Sequence, residues 1–268
     1  MSSWGEYYGQ IAGAMALYRE SNRRLVELAD LRPGMRVLDL AGGAGLTSRA
    51  ILAAVPDGLE LHLLDSDESM LAAARASLGD RVAGYHLADA AQVKDLFPAG
   101  APLFDRVLCN LSFFSFREPE AVLRALQDLV KPVGQLLFSL QNTTFNTGGD
   151  LVSPYWALQT ALAQTGELER APLTPDRLPN QRSIEGTLLA SGWKPMSYTL
   201  QELGDDPAEL HGQLQLFPLP LAERFHTAVA RSIDRAEGLR ESITGQWRVV
   251  HFQAQPAADP LKALQAKA

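Results

Sequence analysis

Five residues, Ala41-Gly42-Gly43-Ala44-Gly45, narrow the choice of fold more than any other part of this chain. Residues 35–40 before them are apolar and rich enough in branched side chains for a buried strand. Residues 46–55 after them resume a helical pattern, which Pro56-Asp57-Gly58 stops. Residues 59–64 are strand-like again and end on Asp65. The order strand, glycine turn, helix, strand, acid is that of a nucleotide-binding βαβ unit. Glycines let backbone approach a ligand where a Cβ would clash. A helix N-terminus presents free N–H groups to it, and an acid on the next strand tip accepts hydrogen bonds from ribose hydroxyls. Asp65 follows Gly45 by 20 residues (65 − 45), near the spacing expected of a ribose acid. The run departs from the dinucleotide fingerprint, because the pattern counted from Gly43 ends on Ser48 rather than on glycine or alanine. Taken alone, it also suits a tight strand-to-helix turn in another α/β protein.

The rest of the chain extends the alternation. Residues 16–28 read as a helix with Leu17, Leu25, Val26 and Leu28 on one face and Arg19, Arg23 and Arg24 on the other. Asp67 is placed to cap a helix through Ser77. Strands are expected at 82–87, 104–110, 135–140, 195–201 and 246–253, and helices at 118–130 and 183–191. Lys131-Pro132-Val133-Gly134 reads as a turn, and the chain from Pro256 as a frayed tail. On the strand expected at 246–253 the faces are Trp247, Val249 and His251 against Arg248, Val250 and Phe252. Strands separated by helices predict an α/β fold: a Rossmann-like, seven-stranded, mostly parallel sheet with helices on both faces and helical lid insertions. Ligands bind such sheets at the carboxyl ends of the strands. Gly42, Asp65, Asp89 and Asn110 all fall there.

From residue 37 to residue 140 the chain resembles the core of the class I S-adenosylmethionine-dependent methyltransferases, nearest to the quinone-biosynthesis type and its small-molecule relatives. The motifs that carry the resemblance are Val37-Leu38-Asp39-Leu40-Ala41-Gly42-Gly43-Ala44-Gly45, Leu64-Asp65-Ser66-Asp67, Asp89-Ala90, Phe104-Asp105-Arg106-Val107-Leu108 and Leu129-Val130-Lys131-Pro132-Val133-Gly134. Ala41 and Val133 stand where many members have glycine. The resemblance implies S-adenosyl-L-methionine as cofactor. Ala41, Gly42 and Gly43 would lie under its methionyl part, with Asp39 near the amino group or merely supporting the turn. Asp65 would hold the ribose. Ser66 and Met70 would flank the adenine, Asp89 and Ala90 fix its edge, and Asn110 and Leu111 line it from the fourth strand. Tyr8 falls where relatives close a tyrosine over the cofactor. Asn110-Leu111-Ser112-Phe113 lacks the two prolines of enzymes that methylate planar nitrogens, which argues against DNA adenine or glutamine amides.

One domain is expected over residues 1–268, with N-terminal lid helices at 1–30, the cofactor-binding core at 31–140, and insertions at 141–182 and 202–245 capping the acceptor site. The segments around that site are aromatic: Tyr7, Phe113, Phe114, Tyr155 and Trp156 are the candidate substrate-binding residues. Trp4, Phe116 and Phe145 lie nearby in sequence. Each such ring also suits ordinary core packing. Tyr8 and His211 are the candidate catalytic groups, with His226 beside them in the second insertion; His62, His86 and His251 fall in or next to strands and read as structural. No cluster of residues has metal-site spacing, and no metal is expected. The lone Cys109 excludes an intramolecular disulfide and suits a reducing cytoplasm. A net charge of −7 argues against a nucleic-acid partner. No apolar run approaches the ~20 residues of a membrane span, and Gly5 and Glu6 stand where a signal peptide would be basic then apolar. The expected partner is a small molecule; oligomeric state is left open. These features predict methyl transfer to carbon or oxygen of a small, fairly apolar biosynthetic metabolite. Two alternatives share the fold: a cofactor-binding member doing cyclisation or decarboxylation, and a non-enzymatic binding protein.

Overall fold

A computed structural model describes residues 3–97, 100–101, 103–142, 145–146, 178–203 and 247–257. Seven strands form one sheet: β1 (Arg36–Leu40), β2 (Glu60–Asp65), β3 (Gly84–Leu87), β4 (Phe104–Cys109), β5 (Val130–Gln141), β6 (Trp193–Leu203) and β7 (Trp247–Pro256). They lie in the order β3-β2-β1-β4-β5-β7-β6. Pairing is parallel from β3 to β5, and β7 alone runs against its neighbours, pairing antiparallel with both β5 and β6. Strand order reverses between β1 and β4, so the chain opens a crevice at their carboxyl ends.

Alternation along the strands feeds two cores. Leu38, Val107, Leu136 and Phe138 face one side, against α5 (Pro119–Gln127) and α6 (Gln181–Ala190). Val37, Leu61, Leu63, Leu108 and Leu137 face the other, against α2 (Ala16–Ala29), α3 (Leu46–Ala54) and α4 (Glu68–Leu78). Apolar burial on both faces explains why these strands read as unbroken hydrophobic runs. α1 (Trp4–Ala14) starts with a capping box of Ser3 and Glu6 and docks on α4. A Cβ on Gly5 would stand 2.1 Å from the Ser69 carbonyl oxygen, so this approach requires glycine.

Several boundaries differ from those expected. The helix expected to reach residue 130 ends at Gln127, and β5 begins at Val130. Lys131-Pro132-Val133-Gly134 is therefore a bulge inside β5 rather than a turn before it. Across from Phe104 and Arg106 the register moves from Val130 to Gln135, and the extra residues loop out of the ladder. Pairing is already established there because the Phe104 N–H donates to the Leu129 carbonyl at 2.7 Å. α6 starts at Gln181, not residue 183, because Asn180 caps it and Ser183 completes the capping box. Pro256 does not fray: it pairs with Trp193, and the Ala257 N–H donates to the Gly192 carbonyl at 2.8 Å. Most of both expected cap insertions, with Tyr155, Trp156, His211 and His226, lies outside the described residues.

Candidate functional site

At the carboxyl ends of the strands lies a cavity of about 910 Å³. Its floor is the turn from β1 to α3. Ala41, Gly43 and Gly45 all adopt positive φ, at 54°, 54° and 83°. A Cβ on Gly43 would meet nothing within 4 Å; it would stand in the open cradle that the turn makes. Ala41 holds a conformation that an alanine pays for in steric strain, at the place where the resemblance expects glycine. Asp65, at the tip of β2, ties the turn down: its Oδ2 accepts from the Gly43 N–H at 2.8 Å and its Oδ1 from the Asp67 N–H at 2.9 Å. Burial raises its pKa above the ordinary carboxylate value, against these backbone donors. A carboxylate has about four lone-pair sites, so acceptor capacity remains for a ligand's hydroxyls.

The walls come from neighbouring elements. Ser66 and Met70 enter from the β2–α4 turn, which Asp67 caps by accepting from the Ser69 and Met70 N–H groups. Asp89 and Ala90 enter after β3, where the Asp89 carboxylate accepts from the Ala91 N–H at 2.8 Å. Tyr8 closes the cavity from α1, its hydroxyl 3.4 Å from that of Tyr18 on α2. Burial, then the Tyr18 phenol and the Asp65 charge, push the Tyr8 phenol well above its ordinary pKa, so it stays protonated at neutral pH and serves as a donor rather than a base.

Thus Tyr8, Ala41, Gly42, Gly43, Asp65, Ser66, Met70, Asp89, Ala90 and Asn110 surround one cavity. Asp39 lies beneath it, fully buried, with Ser48 Oγ donating to its Oδ2 at 2.6 Å and no partner for Oδ1 among the described residues. Leu111 turns away: its φ is +54°, its N–H donates to Ser139 Oγ at 3.0 Å, and Ser112 takes its place on the wall. Three expected substrate contacts also lie elsewhere. Phe113 packs into the core, stacked on Phe138 at 4.3 Å, because the loop after β4 folds inward. Phe114 and Tyr7 point to solvent, 52% and 37% exposed. Phe116 lines the cavity instead.

The wall also holds residues absent from the expected site, among them Tyr18, Asn22, Thr47 and Arg117. Asn22 comes from α2 and Thr47 from the first turn of α3, and Thr47 Oγ1 donates to Asn22 Oδ1 at 2.7 Å. Next to them Asn110 is clamped on both sides of its amide, donating to Ser21 Oγ at 3.0 Å and accepting from Ser139 Oγ. Its side chain thereby joins α2 to β4 and β5. Among the described residues, no three His, Cys, Asp or Glu side chains are placed to hold a metal ion, and no helix is long and apolar enough to cross a membrane.

Sheet order, glycine turn and strand-tip acid define an α/β domain with a cavity at its topological switch point, the place where such sheets bind ligands. Comparison with known proteins finds similar sequences and folds. Residues 38–136 match the family described as a methyltransferase domain. Over 124 residues the chain is 31% identical to the ubiquinone/menaquinone biosynthesis C-methyltransferase UbiE of Shewanella frigidimarina, a match covering 46% of this chain and 49% of that protein. The chain thus spans about half the length of the curated relatives it matches. Among solved structures it is similar to a Haemonchus contortus phosphoethanolamine N-methyltransferase 2 in complex with S-adenosyl-L-methionine (TM-score 0.54, 16% identity, 89% of this chain and 53% of that one). It is also similar to the [4+2]-cyclase SpnF (TM-score 0.55, 17% identity, 88% of this chain and 82% of that one). Over residues 38–136 the chain is thus similar in sequence to a methyltransferase domain, and its fold is that of the solved methyltransferases.

Proposed function

We propose that this chain transfers a methyl group from S-adenosylmethionine to carbon or oxygen of a small, fairly apolar biosynthetic metabolite. The observation that carries this reading is the single cavity in which the glycine turn, Asp65 and Asp89 stand in the order a nucleoside and its amino-acid tail require. The residues fit the cofactor. Gly43 leaves a cradle that a side chain would fill, and Asp65 retains acceptor capacity beside it. The match to a C-methyltransferase supports carbon as acceptor.

When bound, S-adenosylmethionine supplies an electrophilic methyl group on a sulfonium. This chain's part is to orient and to exclude water. Asp65 and Asp89 fix the nucleoside at two points, and Tyr8 and Tyr18 cover it from the N-terminal helices. Ser112 and Phe116, on the loop after β4, border the space where an acceptor enters. Among the described lining residues there is no histidine, and the titratable groups present are carboxylates and tyrosines together with Arg117.

The similarity to a cyclase supports a second reading, in which the cofactor site is kept for other chemistry. One experiment separates the two. Purified protein incubated with S-adenosylmethionine and candidate phenols, quinols and related acceptors is assayed for S-adenosylhomocysteine release and for a 14-dalton mass gain in the acceptor. Both should appear with at least one acceptor class. An acceptor converted without mass gain or S-adenosylhomocysteine would establish the second reading instead.

A further inference from the structure

Behind the cavity wall lies a fully buried hydroxyl that does not line the cavity. Ser139 interrupts the apolar run Leu136-Leu137-Phe138-Ser139-Leu140 of β5 and is 0% exposed. A hydroxyl buried among apolar side chains is unfavourable unless it is hydrogen-bonded, and this one is bonded twice. Its Oγ donates to Asn110 Oδ1 and accepts from the Leu111 N–H at 3.0 Å. Leu111 is strained: its φ is +54°, where a Cβ crowds the following carbonyl oxygen. Among the described residues only Asp30 and Ala41 share a positive φ without being glycine. Asp30 ends α2, so Ala41 and Leu111, which follow β1 and β4, are the strained pair at the crevice. Such strain persists where the surrounding structure imposes it.

Here β5 imposes it from both faces, because successive strand residues point to opposite sides of a sheet. Ser139 shares the α2 side with Leu137 and holds Leu111 there, where Asn110 also donates to Ser21 Oγ. Phe138, on the other side, stacks on Phe113 at 4.3 Å. Between these anchors the loop crosses the end of β4, and the left-handed turn at Leu111 makes the crossing. Ser112, left between them, emerges on the cavity wall, its Oγ donating to the Asn110 carbonyl at 3.1 Å. Ser115 then donates to the Ser112 carbonyl from its N–H at 2.9 Å and from its Oγ at 2.7 Å, which brings Phe116 to the same wall.

We propose that Ser139 is the positioning residue of the loop after β4. Its one hydroxyl ties the Leu111 turn to the Asn110 carboxamide and thereby sets Ser112, Ser115 and Phe116 against the cavity. Ser139 is not part of the cavity wall, so it acts only through these residues. The proposal deepens the methyl-transfer reading, on which the affinity half of its test rests.

The test pairs Ser139→Thr with Ser139→Val, which add the same bulk while only the first keeps a hydroxyl. S-adenosylhomocysteine affinity is measured by calorimetry on the full chain, at a temperature where circular dichroism shows each variant folded. Ser139→Val should bind about 5- to 30-fold more weakly than Ser139→Thr, because a released loop must be returned to the strained turn before the cavity is complete. Amide hydrogen exchange of the ligand-free chain should be faster across residues 111–116 in Ser139→Val than in Ser139→Thr, and equal in β1 and β2. If the added methyl group keeps either variant from folding, Ser139→Ala removes the hydroxyl without adding bulk and should show both effects against wild type. Leu111→Gly frees the positive φ of its strain, so in that background the affinity loss on Ser139→Ala should be at least about 3-fold smaller, the non-additivity of residues in contact. A merely structural Ser139 would lower stability and leave the affinity of the folded protein alone. Equal affinity and equal exchange in the paired variants, or an undiminished loss in the Leu111→Gly background, would overturn the assignment. Wild-type protein that binds no S-adenosylhomocysteine would instead overturn the methyl-transfer reading, and the exchange measurement would still decide the role of Ser139.

Discussion

The two ends of β1 carry polar groups that behave oppositely. Near the amino ends of β1 and β2, His62 Nδ1 lies 3.0 Å from His86 Nε2, and His62 Nε2 lies 3.0 Å from Glu60 and 3.2 Å from Arg36. The Arg36 guanidinium stacks over Phe104 at 4.6 Å. These side chains are hydrogen-bonded to one another, and the His62 ring packs edge to face with Phe97 and Phe104. At the carboxyl end of β1, by contrast, the buried Asp39 Oδ1 is left without a partner among the described residues. Buried polar groups that satisfy one another hold a scaffold together; those left open are kept for something that binds.

The largest expected effect that sharpens this contrast is at Asp39. Burial pushes its carboxyl up to about 7, against the hydrogen bonds from Ser48 that lower it. An acid whose folded pKa is raised holds its proton in the folded state while the unfolded chain has lost it. Stability of the ligand-free protein should therefore fall as pH rises from about 4 to about 7. At ~1.4 kcal/mol per tenfold change in proton affinity, the ceiling is about 4 kcal/mol. Denaturant titrations across that range should show a flatter dependence in Asp39→Asn. Parallel profiles for the two proteins would mean that the Asp39 carboxyl is ionised and solvated, and the contrast would lose its clearest member.

A smaller effect is expected at Asp65. Asp65→Asn keeps one acceptor for the glycine turn but loses the charge. S-adenosylhomocysteine should bind about 10- to 150-fold more weakly, the cost of losing charge-assisted hydrogen bonds worth about 1.5–3 kcal/mol. The matched change in the other cluster, His86→Gln, should leave that affinity unaltered while altering the acid limb of stability. Burial, with His62 and Arg36 nearby, depresses His86 to about 4, so its neutral form favours the fold and stability is lost as pH falls from 6.5 toward 4. An affinity loss in His86→Gln equal to that in Asp65→Asn would erase the distinction between the two regions.

How much of this was legible from residues alone follows the range of the signals. The strand tips carry local chemistry: glycines at positive φ, an N-cap at Asp67, an acid closing β2. Those residues assemble as expected because each signal lies within its own turn. The α2 contribution was not read, yet a trace of it is present. Leu17, Ser21 and Leu25 share one helical row, and Asn22, Val26 and Ala29 the next, all buried. Two polar residues inside an apolar stripe mark a buried network, but their partners, Asn110 and Thr47, lie 89 and 25 residues away. Periodicity cannot name such partners. Phe113 and Leu111 were misplaced for the converse reason. An aromatic run after a strand does not say which rings turn inward, and the positive φ at Leu111 rotates the whole loop by a residue that carries no glycine signal.

Binding of the cofactor product to the unmodified chain tests the central claim most directly. Calorimetric titration with S-adenosylhomocysteine should show a single site with a dissociation constant in the micromolar range or tighter, because the cavity offers a preformed cradle at Gly43 and spare acceptor capacity at Asp65. Absence of any binding heat at several temperatures, with the nucleoside ligand in the millimolar range, would contradict the assignment of this cavity to S-adenosylmethionine.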